Sequence, residues 1–217
     1  MDVGCGIGTW LRRWREIGVA DVWGIDGGHI AREQLLFESA HFLAMDLSNP
    51  QNPFKRQFDL AESLEVGEHI PERSSRRFVE MLCELAPIVL FSAAIPHQGG
   101  TLHVNEQWPE YWARLFSDRG FLAFDVLRPS AWRNEAIAYY YAQNAILYVR
   151  SDVAAREPTF RDNRHLFVTQ PMALVHPRKW EAANTQPLPL ERVLRMIPSS
   201  TFGLATRIRR RLARVSV

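Results

Sequence analysis

The chain has 217 residues, 47% of them apolar, with 26 Lys and Arg against 24 Asp and Glu. That composition excludes a disordered polymer and allows one sizeable core with a small extension, and two cysteines exclude both a disulfide framework and a thiolate metal site. No apolar run reaches the ~18–20 residues that span a bilayer and no charged-then-apolar leader opens the chain, so the expectation is a cytoplasmic protein. The charge is unevenly spread. Residues 192–217 carry seven arginines and no acid, leaving a mildly acidic body with a basic tail.

In chain order, "MDVGCGIGTW" is a glycine loop preceded by very little strand. "TWLRRWREIGV" then puts Trp10, Leu11, Trp14 and Ile17 on one helical face, with Gly18 as a stop. A short strand "DVWGID" ends in Asp26, "HIAREQLLFES" predicts a second helix, "HFLAMDL" a third strand and "FDLAESL" a buried fourth. The fourth strand runs into "EVGEHIPERSSRRFVEMLCELA", read as helix from near Leu64. "IVLFSAAI" is continuously apolar, as a parallel strand covered on both faces should be. "NEQWPEYWARLFSDRG" predicts a helix, and "FLAFDVLR" and "NAILYVR" the last two strands. This alternation predicts an α/β fold, a Rossmann-like doubly wound sheet of seven strands, over residues 1–150. Its ligand crevice should lie outside the carboxyl ends of the strands.

Glycines at 4, 6 and 8 do not fit the dinucleotide fingerprint, whose third glycine would fall at Thr9. "DVGCGIG" resembles motif I of the class I S-adenosylmethionine-dependent methyltransferases, and the later landmarks of that family follow in order. The resemblance covers about residues 1–150 and implies the fold above with an antiparallel last strand. It implies that S-adenosylmethionine is held by Asp2, Gly4, Cys5, Gly6 and Gly8, with Asp26 on the ribose hydroxyls. Asp46 and Leu47 would stand at the adenine, and Ser63 and Leu64 beside the methionine moiety. Taken singly, each acid reads equally well as a strand end or a helix cap.

On a helix beginning near Leu64, Glu65, Glu68 and His69 would leave one face. Two carboxylates and an imidazole favour Mg²⁺ or Mn²⁺ over zinc. The pattern is similar to that of ubiquinone-pathway O-methyltransferases and of small-RNA 3′-terminal 2′-O-methyltransferases. In the latter a further histidine follows strand five, a place that His103 fits better than His97. The competing reading makes the acids partners of a helix dipole, with His69 or His103 as the catalytic general base.

The loop "AAIPHQGGTLHVNEQWPEYW" reads as a substrate lid. Together with "LRPSAW" and "YAQN" it resembles a methyltransferase group that shares these strings, which makes Trp132, Tyr141, Gln143 and Asn144 candidates for the acceptor pocket. Core packing is the alternative for each aromatic. Residues 151–217 predict a proline-rich extension ending in a basic amphipathic helix. That helix could be merely solvated, rest on an anionic membrane at the cytoplasmic face, or bind nucleic acid. The expected activity is O-methylation of a saccharide or other small hydroxylated acceptor. RNA 2′-O-methylation and a truncated, noncatalytic relative are the alternatives. The shortness of the strand before Gly4 gives a further expectation, that a longer chain would bind cofactor more tightly.

Overall fold

The structure, a computed structural model, describes residues 1–185. The expected basic helix of residues 192–217 lies outside the described residues. The elements are β1 (Asp2–Val3), α1 (Thr9–Glu16), β2 (Gly24–Asp26), β3 (Phe42–Ala44), β4 (Ala61–Leu64), α2 (Glu72–Leu85) and β5 (Ile88–Ser92). They continue with α3 (Pro109–Ser117), β6 (Phe121–Phe124), α4 (Arg128–Ala131), α5 (Tyr139–Asn144), β7 (Ile146–Arg150), α6 (Ser151–Arg156), α7 (Pro158–Arg161) and β8 (Phe167–Val168). The sheet order is β3-β2-β1-β4-β5-β7-β6-β8. β1 to β5 pair in parallel, while β7 runs antiparallel between β5 and β6.

The sheet is apolar on both faces because alternate residues of one strand enter different clusters. Phe121, Ala123 and Tyr148 join Val89, Phe91, Phe78 and Leu82 in the main core, while Phe124 and Val149 pack with Val153 and Ala154. A third cluster places Leu11 of α1 on Cys5, Val22, Phe37 and Phe42. Each fully buried large side chain contributes roughly 1.5–3 kcal/mol.

Three features differ from the sequence expectation. The sheet has eight strands, because Phe167–Val168 pairs antiparallel with Ala123 and Phe124. Residues 151–176 belong to the compact unit Met1–His176, and a second unit begins at Pro177. Its described part is the helix α8 (Pro177–Thr185). The helix expected over "HIAREQLLFES" is replaced by two short 3₁₀ turns, Arg32–Gln34 and Ser39–His41. Leu35, Leu36 and Phe37 are consecutive, which suits an extended crossing better than a helical face. On α1, Leu11 is buried, whereas Trp10 and Ile17 remain substantially exposed.

The helix after β4 also starts seven residues later than Glu65, at Glu72. Pro71 forces its predecessor out of the helical region, and Ile70 is extended with φ −86° and ψ 127°. Only one 3₁₀ turn, Gly67–His69, lies between.

Candidate functional site

The glycine loop leaves β1 at its carboxyl end with Gly4, Gly6 and Gly8 at φ 83°, 52° and 85°, the left-handed region where side chains are strained. A Cβ on Gly4 would stand 2.2 Å from a Val66 methyl, and one on Gly8 would stand 2.3 Å from the Phe37 ring. Gly6 meets nothing within 4 Å, so its backbone faces open space. The Gly6 and Gly27 N–H groups each donate to one Asp26 carboxylate oxygen at 2.6 Å. Every oxygen of that carboxylate keeps a second lone pair for a diol.

Gly4, Asp26 and Gly27 meet at a cleft of about 490 Å³, within the roughly 300–1,000 Å³ of small-molecule sites. Gly4, Asp26, Asp46, Leu47, Glu65 and His69 all line it. Hydrogen bonds from Ser48, first from its side chain and then from its N–H at 2.8 Å, hold the Asp46 carboxylate below the usual carboxylate range. Other expected cofactor residues do not line the cleft. Cys5 packs beneath α1, and Ser63 is fully buried in β4, next to Leu64.

Asp2 is 2% exposed and pairs across the sheet with Glu62, itself 1% exposed. Glu62 Oε1 accepts the Trp14 indole N–H at 2.7 Å, but Glu62 Oε2 and Asp2 Oδ2 have no partner among the described residues. Burial pushes Glu62 up to about 7, and burial together with the Glu62 charge pushes Asp2 well up. A raised folded-state value means that the folded chain holds the proton longer. The cost is absent below the ordinary value of 4.5 and grows as pH rises toward 7. Replacing Glu62 by Gln is therefore expected to stabilise the protein by about 1–3 kcal/mol at pH 8 and to change little at pH 4. Urea unfolding at the two pH values checks this, and equal effects at both would contradict it.

Glu68, His69 and His103 converge, offering three ligand atoms within 4.8 Å of one another. Glu68 is 1% exposed, its Oε1 lies 3.9 Å from His103 Nε2, and its Oε2 has no partner. Burial, followed by the nearby Glu65 charge, pushes its carboxyl up to about 8. His103 Nδ1 donates to Glu106 Oε1 at 2.9 Å, and His69 Nδ1 faces the Leu102 carbonyl at 3.3 Å. A carboxylate and a carbonyl can only accept, so Nδ1 is the donor in both rings, and Nε2 is the nitrogen left to face a cation. Glu106 is fixed in turn by the His97 and Gly99 N–H groups. Sequence reasoning missed Glu106, although an acid three residues after a ligand histidine was the available signal.

Glu65 does not belong to this group, which corrects the expectation of one shared helical face. Its φ of 56° is left-handed, and its N–H donates to the carbonyl and hydroxyl oxygens of Ser92. Its side chain is held instead by two amides: Gln98 Nε2 donates to one carboxylate oxygen at 2.8 Å and Asn144 Nδ2 to the other at 3.1 Å. Gln98, Gln143 and Asn144 are all buried and bonded to one another. Gln143 Oε1 accepts the His176 N–H, and His176 Nε2 bonds the Trp132 carbonyl. Of the expected acceptor residues, Gln143 and Asn144 thus serve this buried network. Tyr141 stands edge-on to Trp10 and Trp132 against the His176 ring. "LRPSAW" has a structural reason, since the 2% exposed Arg128 makes a bidentate pair with Asp125 and donates to the Met172 carbonyl.

Among known proteins, residues 1–134 match the family described as methyltransferase domain. No curated protein matches the chain. Solved structures of similar fold include magnesium protoporphyrin IX methyltransferase from Synechocystis PCC 6803 with bound SAH, at 19% identity and a TM-score of 0.47, covering 69% of this chain and 73% of that one. The methyltransferase complexed with the Trm112 activator of Haloferax volcanii is 17% identical with a TM-score of 0.50, over 68% and 80% of the two chains. LepI in complex with SAM is 14% identical with a TM-score of 0.48, and the chain spans only 42% of its length. The match over most of the chain, on a sheet whose antiparallel β7 lies between β5 and β6, means that this protein belongs to the methyltransferase-domain family and has the class I fold of the S-adenosylmethionine-dependent enzymes.

Proposed function

We propose that the protein transfers a methyl group from S-adenosylmethionine to a hydroxyl of a saccharide or other small hydroxylated acceptor, with Mg²⁺ or Mn²⁺ held by Glu68, His69 and His103. One observation carries the reading: Gly4 and the Asp26 carboxylate line one cleft together with His69, which belongs to the cluster of cation ligands formed with Glu68 and His103. The donor supplies an electrophilic methyl group on a sulfonium centre. Asp26 would take its ribose hydroxyls, Gly4 and Gly6 allow close approach of backbone, and Asp46 would stand at the adenine.

At the acceptor end, a divalent cation would lower the pKa of the hydroxyl. In the absence of a cation, His69 or His103 would instead act as the general base that receives the hydroxyl proton. The arginine-rich residues 192–217 support peripheral contact with an anionic membrane from the cytoplasmic side. Calorimetry with S-adenosylhomocysteine tests the donor, and no binding would sink the reading. Transfer of labelled methyl to fractionated glycans, lipids and RNA tests the acceptor. Label in RNA alone would replace the saccharide reading with RNA 2′-O-methylation.

A further inference from the structure

The loop after β5 inverts the usual pattern of burial. From Leu102 to Asn105 the side chains alternate in exposure, but the polar residues are the covered ones and the apolar residues face water. Asn105 is buried and its Nδ2 donates to the Ser75 hydroxyl at 2.9 Å. His103 is turned into the cation cluster, with its ring packed so closely on Gly100 that no Cβ would fit there. Leu102 and Val104 are 81% and 64% exposed, and Leu102 is the most exposed large apolar side chain among the described residues.

The backbone holds both side chains in place. The Val104 and Asn105 N–H groups donate to the Glu68 carbonyl, His69 Nδ1 donates to the Leu102 carbonyl at 3.3 Å, and Glu106 gathers the His97 and Gly99 N–H groups. Leu102 sits at φ 61°, in the left-handed region that suits glycine or asparagine and that a bulky side chain enters only under constraint. A leucine that is strained there and gains no burial does nothing for the fold, and strain of this kind concentrates at ligand sites. Leu102 also lines the cleft beside His69 and Ile70. A hydroxyl brought to His69 and His103 therefore has Leu102 and Val104 on either side of His103 in the chain, and whatever is attached to that hydroxyl passes over them. Single apolar side chains scattered on a surface need no explanation, but two held outward at the mouth of a cleft do. We propose that the acceptor is amphiphilic: its hydroxyl-bearing head enters the cleft, and a hydrocarbon chain attached to the head lies on Leu102 and Val104. The proposal deepens the acceptor reading made above and rests on it. Covering the two side chains is favourable in proportion to the apolar area removed from water, a gain that a bare saccharide would not supply.

The test uses labelled S-adenosylmethionine and the full chain, with cell material divided into an organic-soluble lipid fraction, a water-soluble glycan fraction and RNA as acceptors. Label is expected in the lipid fraction. The double variant Leu102→Ser with Val104→Ser keeps the backbone groups bonded to His69 and Glu68. It should raise the apparent KM for the lipid fraction about 10-fold or more and leave kcat within about twofold. Its affinities for Mn²⁺ and S-adenosylhomocysteine should stay within about twofold of the wild type, which also reports a folded chain. Label confined to the water-soluble glycans would overturn the proposal and leave the donor and cation assignments standing, as would a double variant that methylates the lipid fraction like the wild type. A wild-type dimer that the double variant abolishes in sedimentation would assign the two side chains to a second copy and overturn it as well. Label in RNA alone, or no transfer to any fraction, is a different failure: it removes the small hydroxylated acceptor itself, and this proposal with it.

Discussion

Glu68→Ala is expected to weaken Mn²⁺ binding by at least roughly 100-fold without lowering the melting temperature. The two halves of that result follow from the same geometry. Glu68 is the single anionic group among the three converging ligands, and removing it leaves two neutral imidazoles, a poor set for a hard, oxygen-preferring cation. Its buried carboxyl, pushed up to about 8 and with Oε2 unpartnered, is in turn a burden on the metal-free fold. Deleting it relieves that burden, most of all above neutrality, because the cost of ionising a raised acid grows as pH climbs from its ordinary value of 4.5. Glu106→Ala should weaken Mn²⁺ less, about 10- to 100-fold, since it removes only the group that orients His103. Electron paramagnetic resonance of Mn²⁺ titrations and a thermal melt read both effects. Unchanged affinity in Glu68→Ala would remove the metal from the mechanism.

Asp26→Ala should cost about 100-fold or more in S-adenosylhomocysteine affinity. Two losses combine: the hydrogen bonds to the ribose hydroxyls, and the two backbone amides, of Gly6 and Gly27, that the carboxylate now gathers at 2.6 Å. The second loss loosens the glycine loop itself, so adenosine should weaken together with S-adenosylhomocysteine. Asp46→Ala is expected to act far more mildly, because its fully exposed carboxylate is bonded within its own turn, to the Ser48 N–H. Calorimetry with both nucleosides separates these outcomes, and an Asp26→Ala variant that binds normally would contradict the ribose assignment.

What could be read from the residues was set by how local the determinants are. Gly4, Asp26 and Asp46 were legible because each sits at the carboxyl end of a short parallel strand, and the strand order brings those ends to one cleft. The string "HVNEQW" was visible as a unit, and its physical content is now explicit. His103 faces the cation cluster, the Val104 and Asn105 N–H groups donate to the Glu68 carbonyl, Glu106 holds His103, and Trp108 leads into Pro109 of α3. Glu65 was misplaced because a helical spacing rule was applied to residues 65–69, where the Glu65 backbone is left-handed and only the 3₁₀ turn Gly67–His69 forms, the helix starting after Pro71. The Gln98–Gln143–Asn144 network was beyond local reading, since it joins residues more than 40 positions apart. The strand β8 was hidden for a related reason: two residues cannot display an alternation.

β8 also bears on how the protein behaves in concentrated solution. The sheet is bounded by β3, three residues long, and by β8, two residues long and followed closely by Pro171. So few free backbone donors and acceptors offer a poor template for another chain's strand, a blunted edge of the kind that suppresses edge-to-edge pairing. Among the described residues, neither edge of the sheet therefore favours strand pairing between copies.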